Sequence, residues 1–248
     1  MKQYSKKYGQ VFLADPNIRG IELKILNPQP DDEIVEIGPG GGFLTEKILE
    51  TKARVICIES DHRFADYLRA KFFEYVQNGK LEIIHDNFLE YNMERCSKII
   101  GNIPYHISSP ILEKLTSIRF EECVLMVQEE FARRMVATHN SSSYSRLSVF
   151  TYAHFDATIQ KIVSRNCFHP KPDVDSAIVK LLPTNRLRGI PNEYFDDTLK
   201  TLFSNRRKKI ENSIEGTPYG DLRIDQLDQE KILDIIEFTY RNLRAGSD

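Results

Sequence analysis

The feature that most constrains the fold is an alternation of short apolar runs with longer helical patterns, which starts at Glu33. Each run is almost continuously apolar, as expected for a strand that is buried on both faces. Strands that alternate with helices form βαβ units and a parallel sheet. We therefore predict parallel strands at 33–37, 54–59, 81–85, 98–101 and 123–128.

Two further runs, at 158–163 and 176–182, predict an antiparallel hairpin at the sheet edge. The connection between them contains Phe168-His-Pro-Lys-Pro and is too short for a crossover helix. The segment 183–191 mixes proline, glycine and charge, and the pattern beyond it is helical through Leu243. We predict an α/β domain at 1–184 and a small all-helical domain at 185–248. Asp225 is the predicted cap of a helix in the second domain.

Composition excludes several classes of protein. No apolar run approaches the roughly 20 residues that span a bilayer, and the first residues lack a secretory pattern, so we expect a cytoplasmic protein without a membrane partner. The four cysteines and six histidines are scattered, which predicts reduced thiols and no metal site. The net charge of −2 indicates no general affinity for nucleic acid, so that argument depends on local basic patches.

A glycine-rich turn joins the first strand to a helix, in the order Glu36-Ile-Gly38-Pro-Gly40-Gly41-Gly42. Glycines there let a ligand approach the backbone, and the helix N-terminus offers free N–H groups, although a tight turn with a purely structural purpose has the same pattern. Glu59 ends the next strand about 20 residues later, where a carboxylate binds a ribose. Asp86 ends the third strand. Each acid alone also fits a solvated strand end.

Spacing separates two types of cofactor. A dinucleotide fingerprint needs Gly or Ala five positions after its first glycine, and Phe43 occupies that position. This counts against a nicotinamide-dependent oxidoreductase. The Glu-x-Gly-x-Gly-x-Gly spacing instead resembles the first motif of S-adenosylmethionine-dependent methyltransferases. This resemblance implies the Rossmann-like sheet of the class I methyltransferases.

The fourth strand ends in Asn102-Ile-Pro104-Tyr105. The amine of adenine is a poor nucleophile because its lone pair is delocalised into the ring. An Asn oxygen and a proline carbonyl can accept its protons and make the nitrogen more tetrahedral, and Tyr105 can stack on a flipped base. An ordinary strand-ending turn is the alternative explanation of this short string.

Over nearly the whole chain the sequence resembles the ribosomal RNA adenine dimethyltransferase family, which modifies two adjacent adenosines near the 3′ end of small-subunit RNA. The matching stretches are 9–15, 38–42, 102–110, 128–134, 144–149, 168–177 and 202–209. The resemblance implies the cofactor S-adenosylmethionine, a small-subunit rRNA partner in a pre-ribosomal particle, and a monomer.

The resemblance also implies roles for individual residues. The cofactor-binding set is Gln10, Val11, Leu13, Gly38, Gly40, Glu59, Asp86 and Asn102. The catalytic set is Asn102, Pro104, Tyr105 and Phe168, with the two aromatic rings on either side of the base. One departure is Val11, where the family usually has Asn or His; a backbone contact survives this change, but a side-chain hydrogen bond does not.

The basic run Arg206, Arg207, Lys208 and Lys209 is the predicted RNA contact, and a solvated helix face is the alternative. Two rival functions share the motifs. One is methylation of large-subunit rRNA, of the antibiotic-resistance type. The other is an RNA-binding assembly factor that has lost catalysis. The stretches 144–149 and 202–209 favour the small-subunit enzyme, and intact Glu59, Asp86 and Asn102 argue against lost catalysis.

Overall fold

Strands and helices alternate along the chain, as the apolar runs predict. The computed structural model describes residues 12–206 and 208–245. Its strands include β1 (Phe12–Leu13), β2 (Glu33–Ile37), β3 (Arg54–Glu59), β4 (Leu81–His85), β5 (Lys98–Asn102), β6 (Glu122–Gln128), β7 (Phe155–Val163), β8 (Phe168–His169) and β9 (Ser176–Pro183). Its helices include α1 (Pro16–Leu26), α2 (Phe43–Leu49), α3 (His62–Lys71), α4 (Phe73–Gln77), α5 (Ser108–Leu115), α6 (Glu129–Met135), α7 (Arg146–His154), α8 (Asn192–Ser204) and α9 (Gln229–Ala245).

The central sheet has the strand order β4-β3-β2-β5-β6-β9-β7. The chain therefore moves outward from β2 to β4 and returns to the other side of β2 with β5. Strands β2 to β6 pair in parallel, while β9 is antiparallel to β6. This confirms the predicted mostly parallel sheet with an antiparallel edge.

The reversal of strand order at β2 locates the ligand crevice. In open parallel sheets, ligands bind outside the carboxyl ends of the strands at the point where the order reverses. Here that point lies between β2 and β5, whose residues Ile37 and Gly101 are register partners. The turns after β2, β3, β4 and β5 meet at this edge.

Aspartate side chains cap the N-termini of helices α1 and α3. Asp15 caps α1 by accepting a hydrogen bond from the Asn17 N–H at 2.8 Å, and Pro16 begins the helix. Asp61 caps α3 in the same way through the Arg63 N–H at 3.0 Å. In addition, β1 pairs with β8, which joins the segment before α1 to the connection between β7 and β9.

The chain divides into two compact units, one comprising residues 1–129 and 158–182, the other 130–157 and 183–248. The division after residue 182 lies at the start of the segment 183–191 noted in the sequence. The residues 130–157, which sequence analysis placed in the first domain, group with the C-terminal segment instead. In that second unit α7, α8 and α9 pack together around buried apolar side chains such as Phe195 and Ile235.

The predicted helix cap at Asp225 is wrong. Asp225 lies in a short 3-10 helix, Ile224–Gln226, whereas α9 begins at Gln229. The N-terminal cap of α9 is Asp228, whose Oδ1 accepts a hydrogen bond from the Lys231 N–H at 2.9 Å. Both aspartates precede apolar residues, so the pattern alone did not distinguish them.

Candidate active site

The glycine turn after β2 uses its glycines for different purposes. Gly38, Gly40 and Gly42 all have positive φ angles, of 63°, 53° and 70°. A Cβ atom at Gly42 would lie 2.5 Å from Leu68 Cδ2, so this glycine is needed for packing. A Cβ atom at Gly38 would meet nothing within 4 Å, because Gly38 faces open space at the crevice.

Glu59, at the end of β3, holds this turn from the side. Its side chain is 5% exposed. Its Oε2 accepts the Gly40 N–H at 3.0 Å, and its Oε1 accepts the Asp61 N–H at 2.9 Å. Burial raises the pKa of Glu59, while the backbone N–H groups of Asp61 and Gly40 oppose the rise. Each carboxylate oxygen has a second lone pair that is left for a ligand.

Asp86 follows β4 and lies next to Glu59 along the edge. Its backbone N–H donates to the carbonyl oxygen of Glu59 at 3.1 Å. Its Oδ1 accepts the N–H of Asn87 at 2.7 Å, which fixes the side chain at the turn. The two acids are therefore brought together by the parallel pairing of β3 and β4.

Asn102, at the end of β5, has a side-chain oxygen without a partner. Its Nδ2 donates to Oε2 of Glu22, on α1, at 3.4 Å. Its Oδ1 is buried and accepts no hydrogen bond from any residue that the structure describes. Buried polar atoms are normally paired, so this oxygen is an unused acceptor beside the crevice. The carbonyl of Pro104 accepts the Ile107 N–H at 3.1 Å and keeps one lone pair.

Two aromatic side chains stand near Asn102. The hydroxyl of Tyr105 lies 2.8 Å from Oγ of Ser176, which is fully buried at the start of β9. Phe168 is 8% exposed, and its backbone pairs with Leu13 across the β1–β8 ladder. Sequence analysis predicted both rings as base-stacking residues, and the fold brings them to the same cavity.

That cavity has a volume of about 400 Å³ and lies along the carboxyl edge of β2 to β5. It brings together nine of the predicted site residues. They are Leu13, Gly38, Gly40, Glu59, Asp86, Asn102, Pro104, Tyr105 and Phe168. The predicted contacts at Gln10 and Val11 lie outside the described residues.

A model of the ribosomal RNA adenine dimethylase family matches residues 1–239. The chain belongs to this family. As a member, it is an S-adenosylmethionine-dependent methyltransferase that dimethylates adenine in rRNA, which confirms the reaction and the cofactor expected from the sequence.

Curated relatives are similar over most of their length. A ribosomal RNA small subunit methyltransferase A from Geobacter metallireducens is 36% identical over 87% of this chain and 82% of its own. A probable ribosomal RNA small subunit methyltransferase A from Methanococcoides burtonii is 41% identical over 86% of this chain and 81% of its own.

Solved structures agree with the family. A dimethyladenosine transferase from Plasmodium falciparum has a TM-score of 0.82 and 28% identity, covering 93% of this chain and 98% of its own. The 23S rRNA methyltransferase ErmE has a TM-score of 0.72 and 27% identity, covering 91% of this chain and 98% of its own.

The cavity fits the cofactor of the family. The space in front of Gly38 is open, so a ligand can approach the backbone there. The carboxyl groups at the ends of β3 and β4 can accept hydrogen bonds from a nucleoside, and the side-chain oxygen of Asn102 has no partner in the described chain. Among the described residues no group of three or more His, Cys, Asp or Glu side chains is arranged to hold a metal ion. Nor is any described helix long and apolar enough to cross a bilayer.

The predicted RNA-binding residues lie in the second unit. Arg207 is outside the described residues, whereas Arg206, Lys208 and Lys209 follow α8. Nζ of Lys209 forms a salt bridge with Asp221 at 3.0 Å. Lys208 is exposed and Arg206 is half-buried, and neither forms a salt bridge within the described chain.

Sequence analysis assigned no role to three charged residues at the site, although Glu36 begins the glycine motif. Glu36 lines the cavity at 2% exposure and accepts a hydrogen bond from Thr45 Oγ1 at 2.6 Å; burial raises its pKa to about 7. Arg19 and Glu22 lie one turn apart on α1, Arg19 lining the cavity and Glu22 behind Asn102. A spacing of three residues indicates a shared helix face, but not that the face meets the site.

Proposed function

We propose that this enzyme dimethylates two adjacent adenosines in the 3′-terminal hairpin of small-subunit rRNA during ribosome biogenesis. The observation that carries the proposal is the unpaired side-chain oxygen of Asn102 in a cavity shared with Glu59 and Asp86. The choice of RNA is supported by the relatives at 36% and 41% identity, which are named for the small subunit.

The cofactor is held, in this proposal, along the edge from β4 to β2. Asp86 accepts a hydrogen bond from the adenine amine, and Glu59 accepts the ribose hydroxyls with the lone pairs that Gly40 and Asp61 leave free. The open face of Gly38 lets the cofactor approach the backbone, and Leu13 covers it. Gln10 and Val11 complete this set from the preceding segment, as the resemblance implies.

The target adenine enters beside Asn102. Bound S-adenosylmethionine supplies an electrophilic methyl group on a sulfonium. Oδ1 of Asn102 accepts one proton of the exocyclic amine and the free lone pair of the Pro104 carbonyl accepts the other, which localises the nitrogen lone pair for attack. Preorganised acceptors of this kind stabilise charge that develops in the transition state.

Tyr105 and Phe168 hold the base between their rings. Stacking of a base on an aromatic ring contributes about 1–3 kcal/mol and does not depend on the sequence around the base. The hydrogen bond between the hydroxyls of Tyr105 and Ser176 and the β1–β8 pairing fix the two rings before RNA binds. This preorganisation lowers the entropy cost of placing a flipped base.

The helical residues 185–248 dock the RNA in this account, through the basic run at Arg206, Arg207, Lys208 and Lys209. Because Lys209 is paired with Asp221, we expect Arg206 and Lys208 to contribute more to phosphate binding. We also propose that the enzyme acts as a monomer in the cytoplasm on a pre-ribosomal particle.

Methylation of large-subunit rRNA is the second candidate, because the fold is also similar to that of ErmE. Labelled methyl transfer to small subunits that lack the modification, and separately to large subunits, distinguishes the two. We expect label in the small subunit alone, and labelling that is roughly 100-fold slower or more with the Asn102→Ala variant. Label in the large subunit alone would favour the second candidate, and none in either would contradict the mechanism.

A further inference from the structure

The cavity carries an uneven set of charges. Three carboxyl groups line it, those of Glu36, Glu59 and Asp86, together with one guanidinium, that of Arg19. Among the described residues, no other lysine or arginine lines the cavity. A guanidinium that lies beside several carboxyl groups normally forms a salt bridge with one of them. If it does not, its position calls for another explanation.

Arg19 is held in place without a salt bridge. Its Nη2 donates to the carbonyl oxygen of Ala14 at 3.3 Å, and its guanidinium carbon lies 4.8 Å from the centre of the Phe43 ring. No carboxylate in the described part of the chain forms a salt bridge with it. Its Nε is buried and has no partner there either. The two N–H groups of Nη1 and the second N–H of Nη2 have no hydrogen-bond partner in the described chain and remain for a ligand.

The position of Arg19 separates it from the nucleoside end of the cavity. Arg19 lies on α1, which packs against β6 and α2. In the sheet, β6 lies on one side of β2, whereas Glu59 on β3 and Asp86 after β4 lie on the other. A cofactor whose ribose and adenine lie at Glu59 and Asp86 therefore has its other end directed toward α1.

We infer that Arg19 binds the carboxylate of the amino-acid part of S-adenosylmethionine. That carboxylate is the only anionic group of the cofactor, since the sulfonium and the ammonium are cations. A guanidinium binds a carboxylate through two parallel hydrogen bonds, which orients the chain that links it to the reacting methyl group. The inference rests on the proposed contacts of Glu59 and Asp86, but not on the identity of the RNA.

Calorimetry with two ligands tests the inference in the absence of RNA. S-adenosylhomocysteine has the carboxylate, and 5′-methylthioadenosine has the same adenine and ribose without any amino-acid part. Hydrogen bonds to a charged group are worth enough that Arg19→Gln should weaken S-adenosylhomocysteine binding roughly 10- to 100-fold. Binding of 5′-methylthioadenosine should change less than about threefold, since it lacks the partner of Arg19.

Two variants serve as controls. Lys24→Gln removes the same charge from an exposed position in the last turn of α1, and both affinities should stay at the wild-type level. Arg19→Lys retains a cation and should recover part of the lost affinity for S-adenosylhomocysteine. Equal weakening of both ligands by Arg19→Gln would mean that Arg19 only supports the fold, and would overturn the inference.

An RNA phosphate is the other anion that a guanidinium can bind. Binding of a 3′-hairpin RNA fragment by Arg19→Gln, without cofactor, should match that of the wild-type enzyme. Weaker RNA binding with unchanged affinity for S-adenosylhomocysteine would overturn the inference in favour of a phosphate contact. If the wild-type enzyme binds neither nucleoside ligand, the proposed cofactor site itself fails, and this outcome differs from selective failure at Arg19.

Discussion

The side-chain amide of Asn102 donates a hydrogen bond to the buried carboxyl group of Glu22, with 3.4 Å between Nδ2 and Oε2. This contact orients the amide so that its oxygen, the proposed acceptor for the adenine amine, is left free. Glu22 is fully buried, and burial raises its pKa to about 8, against a smaller opposing effect of the bond from Asn102.

Glu22→Gln should stabilise the protein relative to the wild type, by an amount that grows as the pH rises from about 4.5 to 8. In the native state the carboxyl stays protonated up to about pH 8, whereas in the unfolded chain it ionises near its ordinary value of 4.5. Between these values the unfolded state binds fewer protons, so the free energy of unfolding of the wild type falls as pH rises. Glutamine cannot ionise, and the variant should gain roughly 1–3 kcal/mol at pH 8 but little at pH 4.

Thermal denaturation from pH 4 to pH 9 measures this difference. Glu113→Gln, at an exposed position on α5, is the matched control and should follow the wild type. A difference between Glu22→Gln and wild type that is the same at every pH would disprove the role of ionisation.

Glu59→Ala should weaken the binding of S-adenosylhomocysteine roughly 10- to 100-fold, because hydrogen bonds to a carboxylate contribute about 1.5–3 kcal/mol. Glu59→Gln keeps one acceptor oxygen, so its affinity should lie between those of the wild type and Glu59→Ala. Calorimetry gives the affinities, with Glu82→Ala as the exposed control. An unchanged affinity in Glu59→Ala would refute the ribose contact.

Tyr105→Phe and Ser176→Ala remove the same hydrogen bond from its two ends. Each should lower the rate of methyl transfer about fivefold, because the hydrogen bond that orients the Tyr105 ring contributes about 1 kcal/mol. The double variant should be no slower than either single variant, because the bond is lost only once. Single-turnover rates on the RNA substrate test this, and losses that multiply would show that the two side chains act independently.

Gly38→Ala and Gly42→Ala should fail in different ways, although both positions have positive φ and lose roughly 1–2 kcal/mol to strain. At Gly42 the new methyl overlaps Leu68, which should cost roughly 1–3 kcal/mol more in stability. At Gly38 the methyl points into open space and should instead weaken cofactor binding. Denaturation measures the stability of both variants, and calorimetry measures their cofactor affinity. A larger loss of stability in Gly38→Ala, with a larger loss of affinity in Gly42→Ala, would contradict this account.

The parallel core was predictable because its signal is local. The predicted ranges 33–37, 54–59 and 81–85 coincide with β2, β3 and β4, since each run is almost continuously apolar and ends at or just before a glycine or an acid. Parallel strands then bring their carboxyl ends to one edge, so Gly38, Glu59 and Asp86 could be grouped before the structure was known.

The remaining features depend on tertiary contacts. Strands of two residues, β1 and β8, have no periodicity to detect, although together they position Leu13 and Phe168. Arg19 and Glu22 look like the polar face of an amphipathic helix, and only the packing of α1 turns them toward the site. The grouping of residues 130–157 with the C-terminal segment likewise depends on contacts between distant parts of the chain.

The most direct test is mass spectrometry of small-subunit rRNA after reaction with S-adenosylmethionine, for the wild-type enzyme and Asn102→Ala. We predict dimethyladenosine at both adjacent adenosines of the 3′-terminal hairpin with the wild type. Asn102→Ala should reduce the rate roughly 100-fold or more, as loss of a preorganised polar contact does in other enzymes, while its affinity for S-adenosylhomocysteine stays nearly intact. Equal dimethylation by Asn102→Ala, or wild-type product at another site, would contradict the account.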